Sequence, residues 1–177
     1  MRLFIAAELP DQIMEALAET QAALRATVSG RYAPPDTLHV TLAFLGEVDG
    51  GRIDAAIAAL DQGSAHHAAF ECEIGQLGSF GRKESATLWQ GFRDEEPFAD
   101  LAADIRDELS AVGIEYDDKP FRAHITLMRR ADLSQGVLPQ PAPSRGLVER
   151  LALFSSKLTQ DGPIYTPVHT VELGHWG

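Results

Sequence analysis

Two segments in different halves of the chain carry the same short pattern, a histidine followed two positions later by a threonine. The tetrapeptide HVTL begins at His39, and HITL begins at His124. Alternating polar and apolar residues are typical of a β-strand, in which side chains two positions apart point to the same face. Each segment is therefore predicted to present one imidazole and one hydroxyl, from Thr41 or Thr126, on one face and to bury its apolar residues.

These groups suit the cleavage of a phosphodiester by a general acid and a general base. Because the pKa of histidine is about 6.5, one imidazole can accept a proton from water while the other donates a proton to the leaving oxygen. The two threonine hydroxyls can hold the nonbridging phosphate oxygens. One His-x-Thr triplet is common by chance, but two in the same apolar surroundings are not. We interpret His39 and His124 as a catalytic pair, with a strained cyclic phosphate as a suitable target.

Patterns for two other hydrolytic mechanisms are missing from the sequence. A catalytic zinc ion usually has three protein ligands, and threonine is a poor one. The chain contains neither a His-Glu-x-x-His pattern nor the Gly-x-Ser-x-Gly pattern of a serine nucleophile. We therefore expect no metal site and no cofactor.

The composition limits the class of protein. The 177 residues suit a single domain, and the formal net charge of -11 does not favour a protein that grips long nucleic acid. A small or terminal phosphate fits a basic segment around the second motif, residues 119–130, which contains no acidic residue. Its cations are Lys119, Arg122, Arg129 and Arg130. The apolar runs are too short for a membrane span or a signal peptide, so we expect a cytosolic protein without membrane association.

Hydrophobic periodicity and the positions of glycine and proline predict the elements around the motifs. Besides one strand in each motif, the predicted strands are Arg2–Ala7, Phe70–Leu77, Ala86–Phe92 and a closing hairpin of Leu147–Leu158 and Ile164–Leu173. The predicted helices run from Asp11 to before Ser29, from Arg52 to Gly63 and from Pro97 to Gly113. Pro34 and Pro35 predict a stiff, extended approach to His39.

This order of elements favours an α+β fold with antiparallel pairing. Each half of the chain contains strands, a helix and one His-x-Thr strand. We therefore predict one domain, residues 1–177, with two pseudo-symmetric lobes of antiparallel sheet and outer helices, facing each other across a central cleft.

Other polar and aromatic residues are weaker candidates for a site. The predicted loop Gly78–Ser85 contains an aromatic residue and two cations, which could cradle a base and a phosphate or form a solvated loop tip. These residues are Phe80, Arg82 and Lys83. We predict surface or structural roles for four more histidines, His66, His67, His169 and His175, and a small buried side chain for Cys72.

The sequence resembles the 2H phosphoesterases, and within them the bacterial and archaeal RNA 2′,3′-cyclic phosphodiesterases, also called 2′-5′ RNA ligases. The resemblance covers nearly the whole chain in order and spacing. It is carried by MRLFIAAELP, RYAPPDTLHVTLAFLGEVD, KPFRAHITLMR, and LALFSSKL followed by Tyr165 and Thr166. It supports the two-lobed α+β fold.

The resemblance also implies an activity and a set of residues. The implied substrate is an RNA or oligonucleotide 3′ end with a 2′,3′-cyclic phosphate, which is opened to a 2′-phosphate as the 3′ oxygen leaves. Reversal of that reaction would be 2′-5′ ligation. The implied catalytic residues are His39 and His124, and the implied phosphate ligands are Thr41, Thr126 and Arg129. Further candidate substrate contacts are Tyr32, which stands where the family more often has tryptophan, Phe44, Arg122 and Arg130.

Some questions stay open at this point. Our hypothesis makes His124 the base toward water and His39 the acid toward the leaving oxygen. Two alternatives to the RNA enzyme are a cyclic phosphodiesterase of small nucleotides and a module that binds RNA ends or nucleotides without turnover. The expected partners are RNA 3′ ends or cyclic-phosphate nucleotides, and we expect a monomer.

Overall fold

Two antiparallel sheets and three α-helices make up residues 1–176, the part of the chain that this computed structural model describes. The strands are β1 (Arg2–Ala7), β2 (Arg31–Tyr32), β3 (Val40–Glu47), β4 (Phe70–Phe80), β5 (Ala86–Phe92), β6 (Ile125–Ala131), β7 (Arg145–Val148), β8 (Arg150–Thr159) and β9 (Gly162–Glu172). The α-helices are α1 (Asp11–Arg25), α2 (Ile53–Ser64) and α3 (Glu96–Ala111). Three short 3-10 helices span Pro35–Thr37, Gly50–Arg52 and Lys83–Ser85.

The two His-x-Thr motifs belong to different sheets. The first sheet has the strand order β3-β1-β8-β9, and the second has the order β2-β6-β5-β4-β7. All neighbouring strands in both sheets run antiparallel. We call them the first and second lobes. His39 immediately precedes β3 in the first lobe, and His124 immediately precedes β6 in the second. The α+β fold with two antiparallel lobes is confirmed.

The repeated pattern had suggested that each lobe is one half of the chain, but the strands are divided differently. β2 precedes the first motif in sequence, yet it pairs with β6 of the second lobe. The C-terminal hairpin of β8 and β9 completes the first lobe, because β8 pairs with β1. Each lobe therefore takes strands from both ends of the chain, which ties the lobes together.

Several predicted boundaries were wrong. The predicted strand Leu147–Leu158 is two strands, since β7 pairs with β4 in the second lobe and the chain crosses at Glu149 to β8 in the first. The predicted loop Gly78–Ser85 starts too early, because β4 runs to Phe80. β4 is long because its first part pairs with β7 and its second part with β5.

The approach to His39 also differs from the predicted extended segment. Pro34 is extended, with a ψ of 152°, and residues Pro35–Thr37 then form one 3-10 turn. This turn has a direct role in the site, because it places the carbonyl oxygen of Thr37 beside the His39 ring.

The helices pack on the outer faces of the sheets. From α1, the buried Gln21 donates its amide to the carbonyl oxygens of Ala33 and Leu127, which fixes the helix to the second lobe beside β6. From α3, Arg106 donates to the carbonyl oxygen of Leu42 in β3. The inner faces of the sheets are thereby left to form the cleft.

The sequence had suggested that α2 ends at Gly63, but Gly63 lies within the helix. The helix continues to Ser64. A Cβ atom on Gly63 would lie 2.6 Å from the Cα atom of Ile105 in α3. The glycine is therefore explained by the close approach of two helices.

This contact gives a stability prediction. A Gly63→Ala substitution should gain up to about 1 kcal/mol in helix propensity but lose about 1–3 kcal/mol to overpacking against the α3 backbone. We expect a net decrease in the free energy of unfolding, measured by urea denaturation. Gly51→Ala is the matched control, because a Cβ atom there meets nothing within 4 Å. A more stable Gly63→Ala variant would contradict the role given to this contact.

Two further findings concern the whole chain. Cys72 is buried, as predicted, and burial raises the pKa of its thiol to about 11, so it is not a thiolate at neutral pH. None of the helices in residues 1–176 has the length and apolarity required to cross a membrane.

Candidate active site

The ring of His39 is held by hydrogen bonds at both nitrogen atoms. Its Nδ1 lies 2.7 Å from the carbonyl oxygen of Thr37, and its Nε2 lies 2.9 Å from the hydroxyl oxygen of Thr41. A carbonyl oxygen can only accept, so Nδ1 carries the proton and Nε2 of the neutral ring accepts from the Thr41 hydroxyl. The predicted pairing of His39 and Thr41 on one face is confirmed, and Nε2 is the atom available for proton transfer.

His124 is held in the same way. Its Nδ1 lies 2.7 Å from the carbonyl oxygen of Arg122, again two residues before the histidine. Nδ1 therefore donates here too, and Nε2 is left for chemistry. The sequence pattern contained no sign of these two carbonyl groups, because every residue has one and the local backbone path decides where it points.

The two rings lie close enough for their charges to interact. The pKa of His39 is lowered to about 4, mainly by burial, with further lowering by the charges of His124 and Arg129, while its bond to Thr37 opposes the shift. The pKa of His124 is also lowered, mainly by burial and then by Arg122 and Arg129. Both imidazoles are therefore predominantly neutral at pH 7 in the protein without ligand.

Arg129 reaches the site because β6 contains a β-bulge. Between the pairs Leu88 with Met128 and Trp89 with Thr126, β6 advances two residues while β5 advances one. Leu127 and Met128 are consequently both buried, and Arg129 returns to the face of Thr126. In a regular strand, residues three apart point to opposite faces. The charge of Arg129 acts on both histidines, which agrees with this orientation.

The first motif has a bulge at the same position. Between the pairs Ile5 with Ala43 and Ala6 with Thr41, β3 advances two residues while β1 advances one. Phe44, five residues after His39, therefore corresponds to Arg129, five residues after His124. Its exposed ring packs on Phe4, with the ring centroids 5.6 Å apart. The cleft thus has an aromatic residue on one lobe where it has a cation on the other.

Aromatic rings enclose both histidines. Phe4 stacks on the His39 ring at 4.9 Å, and Tyr165 meets that ring edge-on at 5.5 Å. Phe80 and Trp89 meet the His124 ring edge-on at 5.2 and 5.9 Å. Phe80, left open by the sequence, therefore lies at the site. Phe4 and Trp89 were missed, since strand pairing alone brings them to the motifs.

The remaining candidate contacts have different positions. Arg122 lies over the Trp89 ring at 5.0 Å, and its charge acts on His124. Arg130 is exposed, with a φ of 51°, and its charge is not among those that shift either histidine. The structure does not bring Tyr32 to the histidines. Register pairs it with the buried Met128, its hydroxyl donates to Val28, and Arg25 of α1 covers its ring.

Three other histidines pair with carboxylates. His67 lies 2.6 Å from Asp104, His169 lies 2.8 Å from Asp61, and His175 lies 3.4 Å from Glu149. These contacts agree with structural roles. Across residues 1–176, no group of three or more His, Cys, Asp or Glu side chains is arranged to hold a metal ion.

Comparison with known proteins identifies the family. The model of the 2′-5′ RNA ligase superfamily matches residues 9–158. The chain belongs to this superfamily. It is 34% identical over 179 residues to a Thermus thermophilus RNA 2′,3′-cyclic phosphodiesterase, covering 98% of this chain and 90% of that protein. It is 30% identical over 168 residues to the Escherichia coli protein of the same name, covering 94% and 93%.

Solved structures of the superfamily share the fold along the whole chain. The crystal structure of TT0787 of Thermus thermophilus has a TM-score of 0.81 at 31% identity, covering 99% of this chain and 100% of that one. The crystal structure of Escherichia coli LigT complexed with 3′-AMP has a TM-score of 0.84 at 28% identity, covering 98% of both chains. This chain therefore shares its two-lobed fold with both of these structures.

Proposed function

We propose that this protein hydrolyses the 2′,3′-cyclic phosphate at the 3′ end of RNA or an oligonucleotide and leaves a 2′-phosphate. The observation that carries the proposal is the pair of histidines whose Nδ1 atoms both donate to backbone carbonyls. The charge of Arg129 lowers the pKa of both rings. The names of the relatives support the same substrate. Reversal of the reaction would join RNA ends by a 2′-5′ bond.

In the proposed reaction, the neutral Nε2 of His124 accepts a proton from water as the water oxygen attacks phosphorus. The bond between phosphorus and the 3′ oxygen breaks, and the protonated Nε2 of His39 gives its proton to that oxygen. The hydroxyls of Thr41 and Thr126 and the guanidinium of Arg129 hold the nonbridging oxygens as negative charge develops on them. This chemistry uses side chains of the protein and water.

The acid role of His39 requires a gain of a proton with the substrate. Burial keeps its pKa at about 4 in the protein without ligand. The negative charge of a bound phosphate stabilises the protonated form of the half-buried His39 ring, because electrostatic interactions are stronger where water is excluded. Binding of the cyclic phosphate therefore raises the pKa of the acid and supplies the protonated form.

This argument predicts different pH profiles for kcat/KM and kcat. The profile of kcat/KM reports the free enzyme, in which one histidine must be neutral and the other protonated. Because both pKa values are lowered, we expect the kcat/KM maximum below pH 6.5, with a fall of about tenfold per pH unit on its alkaline side. The kcat profile should lie at higher pH, since the bound anion raises the pKa values. A kcat/KM that still rises above pH 7 would contradict this prediction.

The activity itself is tested by hydrolysis of a nucleoside 2′,3′-cyclic phosphate in EDTA, with the product isomer identified by chromatography. Formation of the 2′-phosphate at an undiminished rate in EDTA supports the proposal. A 3′-phosphate product would overturn the proposed leaving group. Absence of turnover on this substrate and on an oligonucleotide would favour the binding module instead.

A further inference from the structure

Some cations have no partner in a protein with an excess of acidic residues. The formal net charge is -11, yet several Lys and Arg side chains form no ion pair, side-chain hydrogen bond or cation-π contact with any residue of the range 1–176. Those on the second lobe are Arg31, Arg82, Lys83, Arg129 and Arg130, which we call the cationic corner. All five are exposed.

Backbone hydrogen bonds bring the segments of the cationic corner together. Arg31 of β2 is directly opposite Arg129 of β6. Just beyond β6, the backbone amide of Asp132 donates to the carbonyl oxygen of Ser29 at 3.0 Å. The backbone amide of Leu133 donates to the carbonyl oxygen of Lys83 at 2.7 Å. The end of β6 therefore lies between the start of β2 and the Lys83–Ser85 turn. Adjacent strands are about 4.8 Å apart, so the three segments span about 10 Å.

The cationic corner begins at the candidate active site. Directly opposite residues in an antiparallel pair share a face, so Arg31 lies on the face of Arg129, which acts on both histidines. On the first lobe, burial raises the pKa of Tyr165, and the charges of Arg2 and Arg129 both act to lower it. Glu47 of β3 lies directly opposite Arg2, so the excess of positive charge at this end is on the second lobe.

The arrangement is unfavourable for the protein alone. Like charges directly opposite each other destabilise a sheet, and Arg130 has a left-handed backbone conformation that favours glycine. Two acids lie nearby, Glu84 and Asp132, but the carboxylate of Asp132 accepts from the amide and hydroxyl of Ser134. The cations exceed the acids, and a bound polyanion would relieve their repulsion.

We propose that the cationic corner binds the phosphodiester groups of the nucleotides on the 5′ side of the cyclic phosphate. This inference rests on the proposed function and narrows its substrate to oligonucleotides over mononucleotides. Phosphates attract exposed arginine and lysine without sequence preference. The acidic remainder of the surface repels RNA, so the local field directs the 3′ end of the RNA to the cleft.

The test compares kcat/KM for a nucleoside 2′,3′-cyclic phosphate with that for an oligonucleotide ending in the same nucleotide, over a range of salt. The oligonucleotide should be preferred, and its log-log salt slope should be steeper by about 0.7 for each phosphate bound. The double variant Arg31→Ala, Lys83→Ala removes two of these charges. At low salt it should lower kcat/KM for the oligonucleotide about fivefold more than kcat/KM for the mononucleotide. It should also reduce the difference between the two salt slopes by about 1.4.

Arg145→Ala is the matched control. Arg145 is an exposed arginine of β7, at the opposite edge of the same sheet, and pairs with Glu73 at 3.6 Å. The Arg145→Ala variant should leave kcat/KM for both substrates unchanged. Equal losses on both substrates in the double variant, or equal salt slopes in the wild type, would overturn the inference while the proposed function stands. Absence of mononucleotide and oligonucleotide turnover in the wild type would overturn both.

Discussion

Replacement of either His39 or His124 by alanine is expected to lower kcat on a nucleoside 2′,3′-cyclic phosphate by about 10²–10⁴-fold. In each ring a backbone carbonyl fixes the proton on Nδ1 and leaves Nε2 for proton transfer, so each substitution removes one proton-transfer group. The measurement is single-turnover kinetics in EDTA. The two substitutions together should cost much less than the product of the single losses, since the residues act as a unit.

His169→Ala is the control for these variants. That ring pairs with Asp61 and takes no part in the cleft, so its loss should leave kcat unchanged. Because His39 is enclosed by Phe4 and Tyr165, the thermal unfolding of His39→Ala must be measured alongside, and His39→Gln keeps more of the side-chain volume. Wild-type activity in either catalytic variant would refute the two-histidine mechanism.

The residual activity of the single variants also assigns the acid and the base. If His124 is the base, His124→Ala should lose the acidic limb of the pH-rate profile, which reports protonation of the base. His39→Ala should lose the alkaline limb, which reports deprotonation of the acid. Loss of the opposite limb in each variant would reverse the assignment.

Replacement of Arg129 by alanine is expected to lower kcat/KM by about 10²-fold, the usual cost of removing one group that stabilises developing charge. Loss of its guanidinium has a second effect, because its charge lowers the pKa of both histidines. Without it, both pKa values rise, and the alkaline limb of the kcat/KM profile should move to higher pH. A merely structural role for Arg129 would not produce that shift.

Arg129→Lys should recover part of the loss, since lysine keeps the charge but not the planar, two-pronged donor geometry. Arg145→Ala serves again as the arginine control on the far edge of the sheet. An Arg129→Ala variant with unchanged kcat/KM and an unchanged pH profile would show that this residue does not contact the phosphate.

The bulges after Thr41 and Thr126 explain why a strand pattern was an incomplete guide to the site. Strict alternation places His39 with Thr41 and His124 with Thr126, which the structure confirms for the first pair by a hydrogen bond. The same alternation would place Arg129 on the opposite face. The signal for a bulge was present as two consecutive apolar residues, Leu127 and Met128, but such a pair is equally compatible with a regular buried strand.

The sequence alone determined the local features of this protein. Apolar periodicity and the positions of glycine and proline predicted β1 and β5 with their observed bounds, the main part of the three helices and the α+β class. Two repeats of His-x-Thr indicated His39 and His124 as the candidate pair, because residues two apart in a strand share a face whatever surrounds them. These properties depend on neighbouring residues and are therefore readable from the chain.

The tertiary structure decided what depends on distant residues. Strand pairing placed β2 in the second lobe and the C-terminal hairpin in the first, which no local pattern encodes. Packing against α1 turned Tyr32 away from the cleft and left Arg31 facing it. Strand pairing brought Phe4, Trp89 and Arg129 to the histidines in the same way. Long-range pairing is chosen by the whole chain at once, because its free energy comes from many shared contacts and from no single segment.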